Sequence, residues 1–186
     1  MACQEHMKQR CRLAAVIMTG FSLLAGSTAY AQPKAAGMSF SFNDINISYE
    51  HSAPDGSFTE FAIGGRFAEM FLGRRGTPGI EASMTWNLVM SETVSSEDNA
   101  IVFFAGPGIA AGWGDDYKTP EGFYFGLKGR VGAECRFEER GVAISAFLSA
   151  VAGLHMIILE DSISMRYYRN GILYALIPQI SVKYSF

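Results

Sequence analysis

His51 and Ser52 are the residues of this 186-residue chain that come nearest to a nucleophile beside its base. A serine becomes a nucleophile for acyl transfer or hydrolysis when a histidine on the same surface removes its proton. Neighbouring residues of an extended segment point to opposite faces, so these two side chains diverge. His155 lies on the polar face near the end of another extended segment, and we interpret it as a hydrogen-bonded interior residue. The sequence therefore predicts no catalytic histidine.

Paired carboxylates are the second arrangement that could carry chemistry. They occur at Asp115-Asp116, Glu160-Asp161 and Glu97-Asp98, and such pairs are similar to those of outer-membrane aspartyl-type proteases. Turn-forming residues surround them, which favours solvated loops. Metal ligands are also sparse, because His51 and His155 are the only histidines after residue 31 and the calcium pattern Asp-x-Asp-x-Asp-Gly is absent. We expect no catalytic, cofactor or metal site.

The first 31 residues have the three parts of a secretory signal peptide. Basic residues precede an apolar stretch at 13–24, and Ala29-Tyr30-Ala31 gives a small-x-small cleavage pattern before Gln32. About 12 apolar residues are fewer than the roughly 20 that cross a bilayer as a helix, which argues against a membrane anchor. We therefore predict a cleaved signal peptide, residues 1–31, and one mature domain, residues 32–186.

The mature domain is acidic and holds one cysteine. It has 12 Lys and Arg against 17 Asp and Glu, because residues 1–31 contain three basic residues and one acidic residue. This balance argues against a nucleic-acid partner, which requires a basic patch. Cys135 is the remaining cysteine, so no intramolecular disulfide can form.

Apolar residues in the mature domain recur with a period of two, which indicates β-strands. Residues 80–90 alternate apolar and polar side chains, and residues 123–137 do so without a break. Such a run exceeds the usual length of a globular strand, about five or six residues, whereas a tilted membrane strand takes about 9–11 in the apolar core. Residues 101–113 are apolar on both faces, which leaves their phase open. A phase switch before Ile45 predicts a bulge or tight turn near Asn43-Asp44.

Turn-forming residues separate the alternating segments. The expected connections are residues 54–56, 74–79, 91–99, 114–121 and 138–141.

The end of the chain carries the most specific pattern. Apolar residues occupy alternate positions from Ile172 to the last residue, Phe186, although Pro178 departs from an ideal strand. This pattern resembles the C-terminal signal strand of outer-membrane barrels, and the remaining mature chain resembles in pattern the small eight-stranded barrels of the OmpA/OmpX type. The resemblance implies that the barrel-assembly machinery recognises the last strand. The residues of this assembly signal are Ile180, Val182, Tyr184 and Phe186.

Alternation alone also fits a soluble, lipocalin-like barrel with its apolar face inside. Export, the terminal strand and aromatic residues near the strand ends favour lipid outside. We therefore predict an all-β fold: a closed, antiparallel, up-and-down transmembrane β-barrel of eight strands. Its polar face then points inwards, where buried charges must be paired. The expected interior polar network comprises Glu60, Arg66, Glu81, Lys128, Arg130, Glu134 and Arg136.

One of the eight strands is poorly marked in the sequence. Residues 163–168 can supply it, joined to the last strand by a hairpin at Arg169-Asn170-Gly171. Alternatively, residues 38–42 form it, and residues 157–170 make a long outer loop.

Two classes of function are compatible with these features. The first is a non-enzymatic barrel of the cell outer membrane with a structural, surface-contact or lipid-contact role. The alternative is an outer-membrane lipid-modifying hydrolase or acyltransferase whose site the sequence does not display. A filled interior argues against a channel. The expected partners are outer-membrane lipids, the assembly machinery and lipopolysaccharide. Arg74-Arg75, Arg166 and Arg169 can contact lipopolysaccharide phosphates if they lie at the outer rim, and they fit solubilising loop residues equally well.

Overall fold

The structure, a computed structural model, describes residues 34–67, 77–96, 99–158 and 162–186. The predicted signal peptide, Gln32, Arg74-Arg75, Glu97-Asp98 and Glu160-Asp161 lie outside these residues. No helix within them is long and apolar enough to cross a membrane. The strands are β1 (Lys34–Phe40), β2 (Asp44–Ser52), β3 (Phe58–Arg66), β4 (Gly79–Ser96), β5 (Asn99–Asp116), β6 (Thr119–Phe137), β7 (Val142–Ile158), β8 (Ile163–Tyr167) and β9 (Gln179–Ser185).

Eight of these strands close into a ring. Each strand from β1 to β7 pairs antiparallel with the next, β7 also pairs with β9, and β9 pairs with β1. The chain therefore forms the antiparallel up-and-down barrel predicted from the sequence, and that prediction is confirmed. A closed ring satisfies the backbone of every one of its strands on both sides, except where a strand is interrupted or outruns its neighbour.

The alternating sequence places apolar side chains outside the ring and polar ones inside. On paired strands β1 and β2, Met38 and Ile47 are opposite each other, and both point outwards with more than half of their surface exposed. Residues 101–113, whose phase the sequence leaves open, follow the same rule. Val102 and Phe104 are buried inside, while Phe103 lies outside.

Tight turns join several strands. Ser41 donates its backbone N–H to the Asp44 carbonyl (2.9 Å), which closes the expected turn and switches the phase between β1 and β2. The Ser57 hydroxyl and amide both donate to the Asp55 carboxylate and hold the pKa of that carboxyl below its usual value. Between β5 and β6 the turn needs only Tyr117 and Lys118, the latter with a φ of 56°.

Two predicted connections are too long. Residues 91–99 and 114–121 were expected to be loops, but β4 continues to Ser96 and β5 continues to Asp116. In both places, cross-strand hydrogen bonding extends the ladder through polar and glycine-rich residues that resemble turns in the sequence.

The eighth position of the ring is shared by β8 and β9. β9 pairs with β7 from Val142 to Phe147, and β8 pairs with β7 from Leu154 to Ile158. Both run antiparallel to β7, so the predicted hairpin between them is wrong. Residues 168–178 are instead an insertion in one interrupted strand position, and they contain a short helix, α1 (Asn170–Leu173).

The two proposals for the poorly marked strand are each half right. β1 exists, and so does β8, so residues 157–170 are not one long loop. The terminal strand is also shorter than its alternation suggests, because it begins at Gln179, directly after Pro178. Proline cannot donate to the ladder, which explains the boundary.

Candidate functional site: the ion-paired interior and the barrel mouth

The seven residues expected in the interior network all have their charged groups on the inner face of the barrel. Each takes part in at least one ion pair with another inner residue. They form two groups, which we name after their central cations. The Lys183 cluster contains Glu50, Glu60, Arg130, Glu134, Arg136 and Lys183. The Arg66 cluster contains Arg66, Glu81, Tyr124, Lys128 and Tyr168.

Lys183, on β9, lies at the centre of the first cluster. Its Nζ is 2.6 Å from Glu50 Oε2, 3.0 Å from Glu60 Oε2 and 2.9 Å from Glu134 Oε2. Only 2% of its side chain is exposed. Because β2, β3, β6 and β9 each contribute a charged group, the cluster ties distant parts of the ring together.

Two arginines complete the charge balance of the Lys183 cluster. Arg130 pairs with Glu60, and Arg136 Nε is 2.8 Å from Glu134 Oε1. Three carboxylates therefore face three cations. Two nitrogens of Arg130 have no hydrogen-bond partner among the described residues. Its guanidinium lies 3.5 Å from the ring centroid of Phe147, so a cation–π contact replaces those bonds.

In the Arg66 cluster, Arg66 and the Glu81 carboxylate each contact three other groups. Glu81 accepts from Arg66 (3.0 Å), Lys128 (2.9 Å) and the Tyr124 hydroxyl (2.9 Å). Arg66 also donates to the hydroxyls of Tyr124 and Tyr168. The two tyrosine rings stack with centroids 4.3 Å apart. Aromatic and ionic groups thus obstruct the barrel at this level.

The insertion between β8 and β9 is fastened at the barrel mouth. Asp116 accepts the backbone N–H groups of Arg169 (3.1 Å) and Asn170 (2.7 Å). Asp116 is 3% exposed, so its interpretation as a solvated turn residue is wrong. The neighbouring Asp115 accepts the Thr77 amide at 2.7 Å. A cavity of about 20 Å³ remains behind the insertion, which is room for one water molecule.

Sequence reasoning missed several members of this interior. Lys183 lies on the face of the last strand opposite the assembly signal, together with Gln179, Ser181 and Ser185. A single charged residue on that inner, polar face indicates that it pairs with an opposite charge inside the barrel. Glu50 offered the same signal, since it alternates with the outward Tyr49. Nothing in the sequence indicated that Tyr168 returns to Arg66, because that contact depends on the insertion.

The histidines do not form a catalytic pair. His155 is fully buried, and its Nε2 lies 3.1 Å from the Gly114 carbonyl oxygen. His51 and Ser52 are partly buried at the end of β2, and the Ser52 hydroxyl donates to the Glu50 carboxylate (3.5 Å). Within the described part of the chain, no three His, Cys, Asp or Glu side chains are arranged to hold a metal ion.

The four residues of the expected assembly signal all project outwards. Ile180, Val182 and Tyr184 lie on β9, and Phe186 follows it, each with more than two fifths of its surface exposed. Phe186 donates its backbone N–H to the Lys34 carbonyl (2.8 Å), which holds the last residue against the start of β1.

Comparisons with known proteins add little to this description. No family model and no curated protein matches the chain. Among solved structures, it is similar to the N-terminal β-barrel domain of Pseudomonas aeruginosa OprF, with a TM-score of 0.46 and 12% sequence identity over 83% of this chain and 96% of that one. A similarity at this level assigns neither a family nor a function. The geometry itself defines the class: a closed eight-stranded antiparallel barrel with an ion-paired interior and an apolar outer wall.

Proposed function

We propose that the chain is a non-enzymatic β-barrel of the bacterial outer membrane with a structural and lipid-contact role. The observation that carries the proposal is the distribution of side chains across the wall. Large apolar residues are exposed on the outer face, among them Ile47 (62%), Met90 (71%) and Leu127 (71%), while charged residues are buried inside. Water-soluble proteins rarely expose a contiguous apolar patch of this extent.

An apolar outer face with a charged interior is stable when the surrounding solvent is lipid. In a closed ring the strands that face hydrocarbon pair their backbone N–H and C=O groups with neighbouring strands, so these groups need no water. The inner charges are neutralised by one another. In the soluble, lipocalin-like alternative the apolar face would point inwards. The inside-out distribution therefore favours a barrel that spans a membrane.

A structural role is favoured over a channel because the interior is filled. The Lys183 and Arg66 clusters occupy successive levels of the lumen, and the stacked pair Tyr124 and Tyr168 closes the second level. An eight-stranded barrel has room for little more than its own side chains. We infer that the outer wall, together with the loops, meets outer-membrane lipids and lipopolysaccharide.

Expression with the complete sequence in a Gram-negative host tests the location. We expect the protein in the outer-membrane fraction, resistant to carbonate extraction, with a gel mobility that changes on boiling. N-terminal sequencing of that material should begin at Gln32. Recovery of a soluble periplasmic protein that needs no detergent would refute the membrane assignment. An N-terminus at Met1, or at Met7 if translation starts at that second methionine, would refute the signal peptide.

A further inference from the structure

A shallow trough crosses the outer wall of the barrel on β5, β6 and β7. Its floor consists of three small residues that lie directly opposite one another on these strands: Pro107, Gly129 and Ala150. Larger, exposed side chains border the floor: Leu88, Met90 and Leu127. The trough has a volume of about 570 Å³, which lies within the range of ligand-binding clefts, about 300–1,000 Å³.

The floor of the trough is built from residue types that weaken a strand. Pro107 cannot donate to the ladder, and the pairing of β4 with β5 passes from Thr85 to Leu88 without Trp86. Gly129 lies beside Pro107, and a glycine inside a strand often marks the close approach of a ligand. A Cβ added to Gly129 would meet no heavy atom within 4 Å. The space above Gly129 is therefore left open by the protein itself, at a point where departures from strand rules suggest a functional surface.

The width of the trough determines what can occupy it. Leu127 and Val131 flank Gly129, two residues away on either side, so their Cα atoms are about 13 Å apart. Both side chains are more than half exposed and narrow the space further. An α-helix with its side chains is about 10–12 Å wide, which is too wide for the remaining space. A lone strand would leave its backbone groups unpaired in hydrocarbon, whereas an extended acyl chain has neither limitation.

Packing explains why a chain would stay in the trough. Lipid tails are as apolar as the wall, so van der Waals contact decides where they bind. Against the convex part of the wall, a chain touches protein along one side only. Between Leu127 and Leu88 it also contacts the two sides of the trough, and every further carbon–carbon contact adds dispersion attraction. The trough should therefore hold one chain more firmly than the wall around it.

The trough opens towards the rim of the barrel that carries the shorter connections. Met90 lies in the half of β4 that leads to this rim. The connections here have two to five residues: 53–57, 97–98 and 138–141. The opposite rim carries the longest connection, residues 67–78, and the insertion between β8 and β9. Because outer-membrane barrels have their short turns in the periplasm, the chain would come from the periplasmic leaflet, which consists of phospholipid.

We propose that the trough binds one acyl chain of a phospholipid from the periplasmic leaflet, with the chain lying against Gly129. This inference rests on the proposed membrane location and makes its lipid contact specific. One flank of the wall holds a lipid at a fixed site, whereas the bulky outer residues of β1–β3, such as Ile47 and Ile63, meet lipids that exchange freely.

Quenching of Trp86 fluorescence tests the proposal. Trp86 is exposed on the outer face at the end of the trough, opposite Pro107 in the register of β4 and β5. The chain has two tryptophans, so Trp113→Phe leaves Trp86 as the sole fluorophore. The whole mature protein is inserted into phosphatidylethanolamine–phosphatidylglycerol vesicles, in which a phosphatidylethanolamine with brominated acyl chains replaces an increasing fraction of the lipid. Bromine quenches tryptophan on contact. We expect quenching to exceed random contact, with a preference for the site of at least about threefold, which corresponds to about 0.7 kcal/mol.

Two leucine substitutions form a matched pair. Gly129→Leu fills the trough from its floor, where an added Cβ meets no protein atom, and should abolish the excess quenching. Ala82→Leu adds the same side chain at an exposed position outside the trough and should retain it. If Gly129→Leu does not show the heat-modifiable migration of a folded barrel, Ala150→Leu fills the floor from β7 instead. Excess quenching that survives in the folded trough variant overturns the proposal.

Two further outcomes separate this inference from the proposed location. In wild-type barrels that fold and insert, quenching in proportion to the brominated fraction refutes the lipid site alone. Trp86 that stays unquenched in fully brominated vesicles refutes the membrane location itself. Added lipopolysaccharide should leave the excess unchanged, and its loss would overturn the assignment to phospholipid. An excess that falls as protein density rises in the vesicles would mean that a second copy covers the trough, which also overturns the proposal.

Discussion

Replacing Lys183 with methionine should destabilise the barrel more than any other single loss of charge in the interior. Three carboxylate oxygens lie within 3.0 Å of its Nζ. Without that cation, three carboxylates face only Arg130 and Arg136. Glu50 loses most, because Lys183 is its sole ion-pair partner among the described residues. Leaving a buried charge without its partner costs about 3–5 kcal/mol in free energy of unfolding.

Urea unfolding in detergent or lipid, followed by heat-modifiable migration, measures this loss. With a denaturant dependence of about 1–3 kcal/mol per molar, the midpoint of Lys183→Met should fall by at least about 1 M. Lys183→Arg keeps the charge and should retain more stability. The double variant Lys183→Met with Glu50→Gln removes a charge of each sign and should recover part of the loss. A Lys183→Met midpoint equal to that of the wild type would refute the assignment of Lys183 as the organising charge.

Three other perturbations probe the last strand, the wall and the mouth. Deletion of Phe186 should impair outer-membrane assembly far more than the loss of one buried apolar side chain explains, which is worth about 1.5–3 kcal/mol. The control variant Ser185→Ala should assemble normally, as measured by heat-modifiable migration on a gel. Equal assembly of the two variants would contradict the signal strand. In a background without the native cysteine, Val131→Cys should react with a lipid-soluble thiol reagent and Arg136→Cys with a water-soluble one, and reversed labelling would support an apolar interior. Asp116→Ala leaves two backbone N–H groups without an acceptor, which costs about 1–3 kcal/mol of stability for an unsatisfied buried group. The amides of α1 should therefore exchange faster with solvent. Unchanged exchange would mean that other contacts hold the insertion in place.

The inward or outward direction of side chains in the barrel wall can be predicted from the sequence, because it depends on the alternation of neighbouring residues. A period of two fixes which side chains share a face, and one polar face with one apolar face leaves little choice of register. Residues 123–137 illustrate this: Tyr124, Arg130 and Glu134 of the polar face are buried, whereas Phe125, Leu127 and Val131 of the apolar face are exposed. Residues 101–113 show the limit. With both faces apolar, only pairing with β4 and β6 determines that Phe104 points inwards.

The interrupted strand position could not be derived in this way. Whether residues 163–168 and 179–185 form two ring strands or one depends on their shared partner β7, which is a long-range property. The prediction that Asp116 is solvated fails for a related reason. Turn residues border it in the sequence, but an insertion more than fifty residues later in the chain buries it. Local composition indicates a turn, whereas tertiary contacts decide whether the turn meets water.

The unequal lengths of the strands bear on the bilayer itself. β2 and β3 have nine residues each and β5 has 18, which at about 3.3 Å per residue and a tilt of about 40° gives heights of about 23 Å and 45 Å. The hydrocarbon core is about 30 Å thick. In the membrane location proposed above, lipids beside β1–β3 would face a wall that is too short, and lipids beside β5–β7 would face one that is too tall. This hydrophobic mismatch should thin the bilayer locally on one flank of the protein and incline the barrel axis. A barrel of this shape would recruit shorter acyl chains to one side, and neighbouring proteins would meet a membrane whose thickness depends on the direction of approach.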